Sequence, residues 1–309
     1  MKIVFMGTPK FGAIILEKLI KEGYKPDLVV TETDKAKGRK QTIVPSPVKT
    51  TAQNFNIPVF QPEKNEDLKS KIESLKPDLT IVAAYGRILP KEILEIPKHK
   101  SLNIHPSILP KYRGASPIQY TILNNDQKSG VTIILMDEKM DHGKIISRIS
   151  CHVPEKITYE QLSLQMAELG GDIIVDTIPK WINNEIDPKT QNEEEASYTK
   201  ILKKEDGKIN WEMPAVQIER KVRAFNPWPG TWTLWDKARL RILKARVFKF
   251  PVKKKYPIGQ ILVVPQNEAA VQCNEDFLVL EELQLEGKKH LKSEEFLRGY
   301  QNFTKAVLG

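Results

Sequence analysis

Two Pro-Asp pairs, Pro26-Asp27 and Pro77-Asp78, stand directly before short apolar runs, Leu28-Val29-Val30 and Leu79-Thr80-Ile81-Val82-Ala83-Ala84. No other feature limits the fold so strongly. Runs this short and this uniformly apolar read as strands covered on both faces, which is the environment of a parallel sheet. The chain opens the same way: Lys2 to Met6 is an apolar strand stopped by Gly7, and Phe11, Ile14, Ile15 and Leu19 then recur at helical spacing. Strand, turn and helix in repetition predict an α/β fold, a Rossmann-like doubly wound parallel sheet. The first turn, Gly7-Thr8-Pro9-Lys10-Phe11-Gly12, lacks the glycine spacing of a dinucleotide site, so a nicotinamide or flavin cofactor is not expected.

A parallel sheet of this kind opens its ligand crevice at the carboxyl ends of its strands. The stretch Ser101 to Pro117 supplies such an end. Asn103 and His105 are two residues apart, so in an extended strand both side chains share one face. Pro106, Pro110, Gly114 and Pro117 follow, too many breakers for an ordinary connector. A strand whose Asn and His are simply hydrogen-bonded in a core fits this pair alone at least as well. Farther on, Val131, Ile133 and Leu135 alternate in a strand leading to Asp137, Asp141 and Gly143. Asp-x-Gly is a common turn, so Asp141 matters only if that turn folds over His105.

The chain has 309 residues, more than one hydrophobic core usually spans, and two domains are expected. The expected boundaries are 1–185 for the first domain, 186–203 for a polar linker containing Glu193-Glu194-Glu195, and 204–309 for the second. Trp232 to Trp235, Leu240 to Phe248, Gly259 to Val264, Ala269 to Cys273 and Phe277 to Leu285 are short strands at regular spacing. They predict a small OB-like β-barrel. Trp228, Trp232 and Trp235 are assigned to its core rather than to base stacking. Charge is divided unevenly: residues 1–196 hold 27 Lys+Arg against 26 Asp+Glu, and residues 197–309 hold 21 against 13. A balanced body and a basic second domain suggest a polyanionic partner, nucleic acid being the commonest. The long loop from Glu32 to Lys49, with Lys35, Lys37, Arg39 and Lys40 around a glycine, suits a phosphate backbone as well as it suits a solvated loop.

The N-terminus has no extended apolar region of a signal peptide, and no run of about 18 apolar residues suggests a membrane span. Cys151 and Cys273 have no paired or metal-ligating spacing, which fits a reducing cytoplasm and leaves no metal expected.

Taken together, MKIVFMGTPKFG, AAYGRILP, SLNIHPSILPKYRGASPIQ, MDEKMDHGKII, EDGKINW and RKVRAFNPWPGTW resemble the methionyl-tRNA formyltransferase family across nearly the whole chain. The Asn-x-His-Pro-Ser segment is shared with 10-formyltetrahydrofolate-dependent formyltransferases in general, and the last two segments are similar to those of the tRNA enzymes. The resemblance implies formyl transfer from 10-formyltetrahydrofolate to the amine of initiator methionyl-tRNA, with translation initiation as the setting. It implies catalytic roles for Asn103, His105 and Asp141. Folate would lie along Tyr85, Gly86, Arg87, Ile88 and Leu89 and along Ser107, Ile108, Leu109 and Pro110. Arg39, flanked by Lys37 and Lys40, would meet the tRNA acceptor end. A monomer in the cytoplasm, without membrane attachment, completes the expectation. Lys144 departs from the acidic residue frequent after the Asp141 turn in that family.

Overall fold

Asp27 and Asp78 show why the Pro-Asp pairs precede strands. The Asp27 carboxylate accepts the main-chain N–H of Ile3 at 2.8 Å, and the Asp78 carboxylate accepts that of Lys2 at 2.6 Å. Their own N–H groups donate back to the carbonyls of Ile3 (2.9 Å) and Lys2 (2.8 Å). The Lys2 amide holds the Asp78 carboxyl below the usual carboxylate range. The first strand, Ile3–Gly7, is thereby clamped at its start between Leu28–Val30 and Leu79–Ala83, and it runs parallel to both.

The structure is a computed structural model that describes residues 1–37, 42–249 and 256–309. The residues cluster into two units. The first comprises Met1–Pro117, Lys128–Val153 and Gln161–Lys200, and the second Ile118–Gln127, Pro154–Glu160 and Ile201–Gly309. The first unit contains a seven-stranded sheet in the order Ile145–His152, Lys128–Leu135, Ser101–His105, Leu79–Ala83, Ile3–Gly7, Leu28–Val30, Val59–Phe60. The last five of these are mutually parallel, and the first two are antiparallel additions at one edge. The expected doubly wound body is therefore present, mostly rather than wholly parallel.

The Gly7 to Gly12 turn serves helix packing. A Cβ at either glycine would lie 2.8 Å from the Ala83 carbonyl oxygen, so both must be glycine for helix Lys10–Lys21 to sit this close to the sheet. On that side Ile15, Leu16 and Leu19 are fully buried.

The second unit carries a six-stranded antiparallel sheet. Thr231–Trp235, Ala238–Phe248, Phe277–Leu285, Glu268–Gln272 and Ile261–Val264 follow one another, and His290–Lys292 pairs with Phe277–Leu285. This arrangement is consistent with the expected small barrel. Its core joins Leu240, Ile242, Leu278 and Leu280 to Ile218 and Val222 of helix Ala215–Phe225. The EDGKINW segment lies against the strand Thr231–Trp235 that follows NPWPG: Ile209 N–H donates to the Trp232 carbonyl at 2.8 Å, and Trp211 Nε1 donates to Thr233 Oγ1 at 3.1 Å. Trp235 packs against Phe296, Tyr300 and Phe303 as expected of a core residue. Trp228 does not, being 56% exposed, and Trp232 is half-buried beneath the Arg239 guanidinium, 4.2 Å from its ring centre. The prolines around Trp228 hold it outward, and Trp232 alternates to the face opposite the buried Thr231 and Thr233.

Cys273 lies in this second core with no exposed surface, and burial pushes its thiol up to about 12. A thiol reagent at pH 8 should modify Cys273 only as the protein unfolds. Rapid native labelling of Cys273, mapped by peptide mass spectrometry, would contradict this placement.

Candidate active site

The strand Ser101–His105 is buried along its whole length because it is sandwiched between Leu79–Ala83 and Lys128–Leu135. In register, Asn103 pairs with Val82 on one side and Ile134 on the other, and His105 pairs with Thr132. Period-two alternation puts both polar side chains on the same face. That face meets the turn containing Asp141.

Asn103 Nδ2 donates to Asp141 Oδ1 at 3.3 Å, and His105 Nδ1 lies 3.5 Å from the same oxygen. Asp141 Oδ2 accepts the Gly114 main-chain N–H at 2.8 Å. His105 is 4% exposed and Asn103 9%, so the three groups meet in a largely dry place. The imidazole is fixed from its other side: His105 Nε2 is 2.9 Å from the Tyr112 carbonyl oxygen. A carbonyl can only accept, so Nε2 must carry the proton. Nδ1, facing Asp141, is then the nitrogen left to take up or release one. Asn103 keeps a second amide N–H beyond the one given to Asp141.

The loop after His105 is shaped by Thr132. Its hydroxyl donates to the Ser107 carbonyl at 2.7 Å and accepts the Leu109 N–H at 3.1 Å. Ser107 Oγ donates to the Lys111 carbonyl at 2.6 Å, and Arg148 donates to the Leu109 carbonyl at 2.9 Å. Ser107, Leu109 and Pro110 are consequently buried, leaving Ile108 half-exposed. The Tyr85–Leu89 segment follows the neighbouring strand at the same carboxyl edge. Thr8 Oγ1 ties down the Tyr85 carbonyl at 3.0 Å, and Tyr85 and Leu89 are buried. Gly86 and Ile88 are exposed, and Arg87, half-buried, donates to the Glu63 carbonyl at 3.2 Å. Gly86 has φ +93° and the segment belongs to no strand or helix, so its main-chain groups stand at the crevice edge beside an apolar Ile88. A flat heteroaromatic ring fits such a surface.

The structure thus brings Asn103, His105 and Asp141 together and sets both loops on the same sheet edge. Lys37 ends the short strand Lys35–Lys37, paired with Thr42–Val44. Arg39 and Lys40, like the run Lys253-Lys254-Lys255, lie outside the described residues. Residue-level reading missed Tyr112, whose role is played by its main-chain carbonyl, and Thr132 and Gln191, whose partners are far away in the chain. Arg113 and Gly114 stood inside the quoted signature, but nothing local revealed that they brace Asp141. Among the described residues no group of three or more His, Cys, Asp or Glu side chains could hold a metal ion, and no helix is long and apolar enough to cross a membrane.

Known proteins resemble the chain over nearly its whole length. Residues 1–178 match the formyl transferase family and residues 201–301 the formyl transferase C-terminal domain. The methionyl-tRNA formyltransferase of Clostridium novyi (strain NT) is 39% identical over 311 aligned residues, covering 100% of both chains. That of Clostridioides difficile (strain 630) is 40% identical with the same coverage. Among solved structures, HypX from Aquifex aeolicus in complex with tetrahydrofolic acid has a TM-score of 0.68 at 17% identity. The match covers 99% of this chain but only 48% of HypX, and it bears on the fold.

Replacing Thr132 by Val keeps the shape and strands the buried Ser107 carbonyl and Leu109 N–H. The expected loss of stability is about 1–3 kcal/mol, read from a denaturant midpoint. An unchanged midpoint would show that the hydroxyl does not hold the loop.

Proposed function

The chain belongs to the methionyl-tRNA formyltransferase family, and from that premise we propose that Asn103, His105 and Asp141 carry its chemistry. The reaction transfers the formyl group of 10-formyltetrahydrofolate to the α-amino group of methionyl initiator tRNA, giving N-formylmethionyl-tRNA for translation initiation. The observation supporting the residue roles is that the Asn103 amide and the His105 imidazole, both on one strand, come within 3.5 Å of Asp141 Oδ1.

When bound, 10-formyltetrahydrofolate supplies the formyl carbon. Attack by the methionyl amine places negative charge on the formyl oxygen, and the free amide N–H of Asn103 is the donor suited to it. His105 works through Nδ1, because Nε2 is committed to the Tyr112 carbonyl. Asp141 orients that nitrogen and relays the proton lost by the amine toward the departing folate nitrogen. Asn103 and His105 are buried and Asp141 is only slightly exposed, which limits bulk water and strengthens each of these interactions.

Tyr85, Gly86, Arg87, Ile88 and Leu89, with Ser107, Ile108, Leu109 and Pro110, form the folate side of the crevice in this reading. The exposed main chain and apolar edge of the first loop support it. Residues 1–185 form the catalytic domain, 186–203 the connection and 204–309 the tRNA-binding domain, with the basic excess after residue 196 as support. Arg39, Lys37 and Lys40 meet the tRNA acceptor end on the strength of their charge and position in the sequence. The protein works as a monomer in the cytoplasm: one chain holds all three catalytic groups, and its two cysteines are free thiols.

His105→Ala should lower formyl transfer by a factor of about 10²–10⁴ while leaving affinity for tRNA nearly unchanged. The measurement uses labelled 10-formyltetrahydrofolate with charged initiator or elongator methionyl-tRNA. Transfer at the wild-type rate by the variant would remove His105 from the chemistry, and equal formylation of both tRNAs would refute initiator specificity.

A further inference from the structure

Gln191 lies in the polar stretch after the long helix Tyr159–Ile182, yet only 5% of it is exposed. Its carboxamide is fully used. Nε2 donates to the carbonyls of Asp141 (2.8 Å) and Gly143 (2.7 Å). Oε1 accepts from Nε (3.1 Å) and Nη2 (3.0 Å) of Arg113. Two N–H groups and two lone pairs exhaust a primary amide, and turning it over would set N–H against guanidinium and oxygen against carbonyl. Its orientation is therefore unique.

What the amide joins gives it a role. On one side is the turn containing Asp141, whose own backbone is left-handed at φ +50°. Gly143 belongs to the same turn and admits no side chain, since a Cβ there would lie 1.9 Å from the Leu135 carbonyl oxygen. On the other side is Arg113, a side chain 1% exposed, held also by Glu193 at 2.7 and 2.9 Å and by Tyr198 Oη at 3.1 Å. The Glu193 carboxylate raises the Arg113 guanidinium further and is itself held below the usual carboxylate range. The residues flanking Arg113 are the two that define the site. Tyr112 gives its carbonyl to His105 Nε2, and Gly114 gives its N–H to Asp141 Oδ2. One buried amide thus sets the Asp141 turn in register with the strand that fixes both His105 and Asp141.

We propose that Gln191 is a positioning residue for formyl transfer, acting through Asp141. This rests on the assignment of Asp141 to the reacting centre. Gln191→Glu tests it. The carboxylate still accepts from Arg113, but it turns an oxygen toward the carbonyls of Asp141 and Gly143 and loosens the turn. Gln191→Met, similar in size and uncharged, is the second variant should the first fail to fold.

Misplacing a reacting group by about 1 Å can cost about 10²-fold, so kcat should fall about 10- to 100-fold in either variant. KM for folate and for methionyl-tRNA should stay close to wild type. In an Asp141→Asn background the same substitution should cost nothing more, because the group it positions has already lost its function. A wild-type kcat in a folded variant would overturn the proposal. So would a loss that adds fully to that of Asp141→Asn, or a loss confined to KM. Asp141→Asn alone separates the two readings. If it is fully active, Asp141 leaves the reacting centre; if it is inactive while Gln191→Glu is fully active, only the role of Gln191 falls.

Discussion

The hydrogen bond between His105 Nε2 and the Tyr112 carbonyl decides what the rest of the site can do. It fixes the tautomer, and it assigns proton chemistry to the nitrogen that faces Asp141. The chain maintains it at a cost. Tyr112 adopts a left-handed backbone, φ +64°, which disfavours a non-glycine residue by about 1–2 kcal/mol. Several contacts offset that cost: Ser197 Oγ accepts the Tyr112 N–H at 2.9 Å, and the strand Tyr198–Thr199 pairs with Arg113–Gly114. Asp141, also left-handed, is held by the Gly114 N–H and by Gln191. Two unfavourable backbone conformations therefore face each other across the reacting groups, each braced by contacts distant in sequence.

The sheet explains why this happens where it does. Asp27 and Asp78 clamp the first strand, that strand fixes Leu79–Ala83, and Leu79–Ala83 fixes Ser101–His105. The carboxyl edges of these parallel strands open together, so the Tyr85–Leu89 loop and the loop after His105 emerge side by side. The antiparallel strands Lys128–Leu135 and Ile145–His152 extend the sheet beside Ser101–His105, and the turn between them starts next to Ser101 and folds Asp141 back to Asn103 and His105. A wholly parallel sheet would need a crossover there and could not return the chain so tightly.

Much of this is legible in the sequence because it is local. Period two predicts that Asn103 and His105 share a face, and each Pro-Asp pair marks the start of a strand within a few residues of itself. What escapes is long-range. Asp141 is 38 residues from Asn103, and Gln191 is 50 residues from the carbonyl it holds. The stretch containing Gln191 is polar and acidic, which reads as a connector, because a single buried amide leaves no periodic trace. Trp228 and Trp232 illustrate the opposite error. Their size argues for burial, but the rigid turn leaves Trp228 exposed, and the strand alternation keeps Trp232 half-buried on the face away from Thr231 and Thr233.

The central claim is that a strand end delivers an imidazole whose Nδ1 does the work beside Asp141. Nitrogen-15 NMR of histidine-labelled protein tests it directly, with His105 assigned by its loss in His105→Ala. The structure predicts that the neutral ring carries its proton on Nε2 and that Asp141→Asn shifts the Nδ1 resonance. A neutral His105 protonated at Nδ1, or an Nδ1 resonance indifferent to Asp141→Asn, would contradict the account.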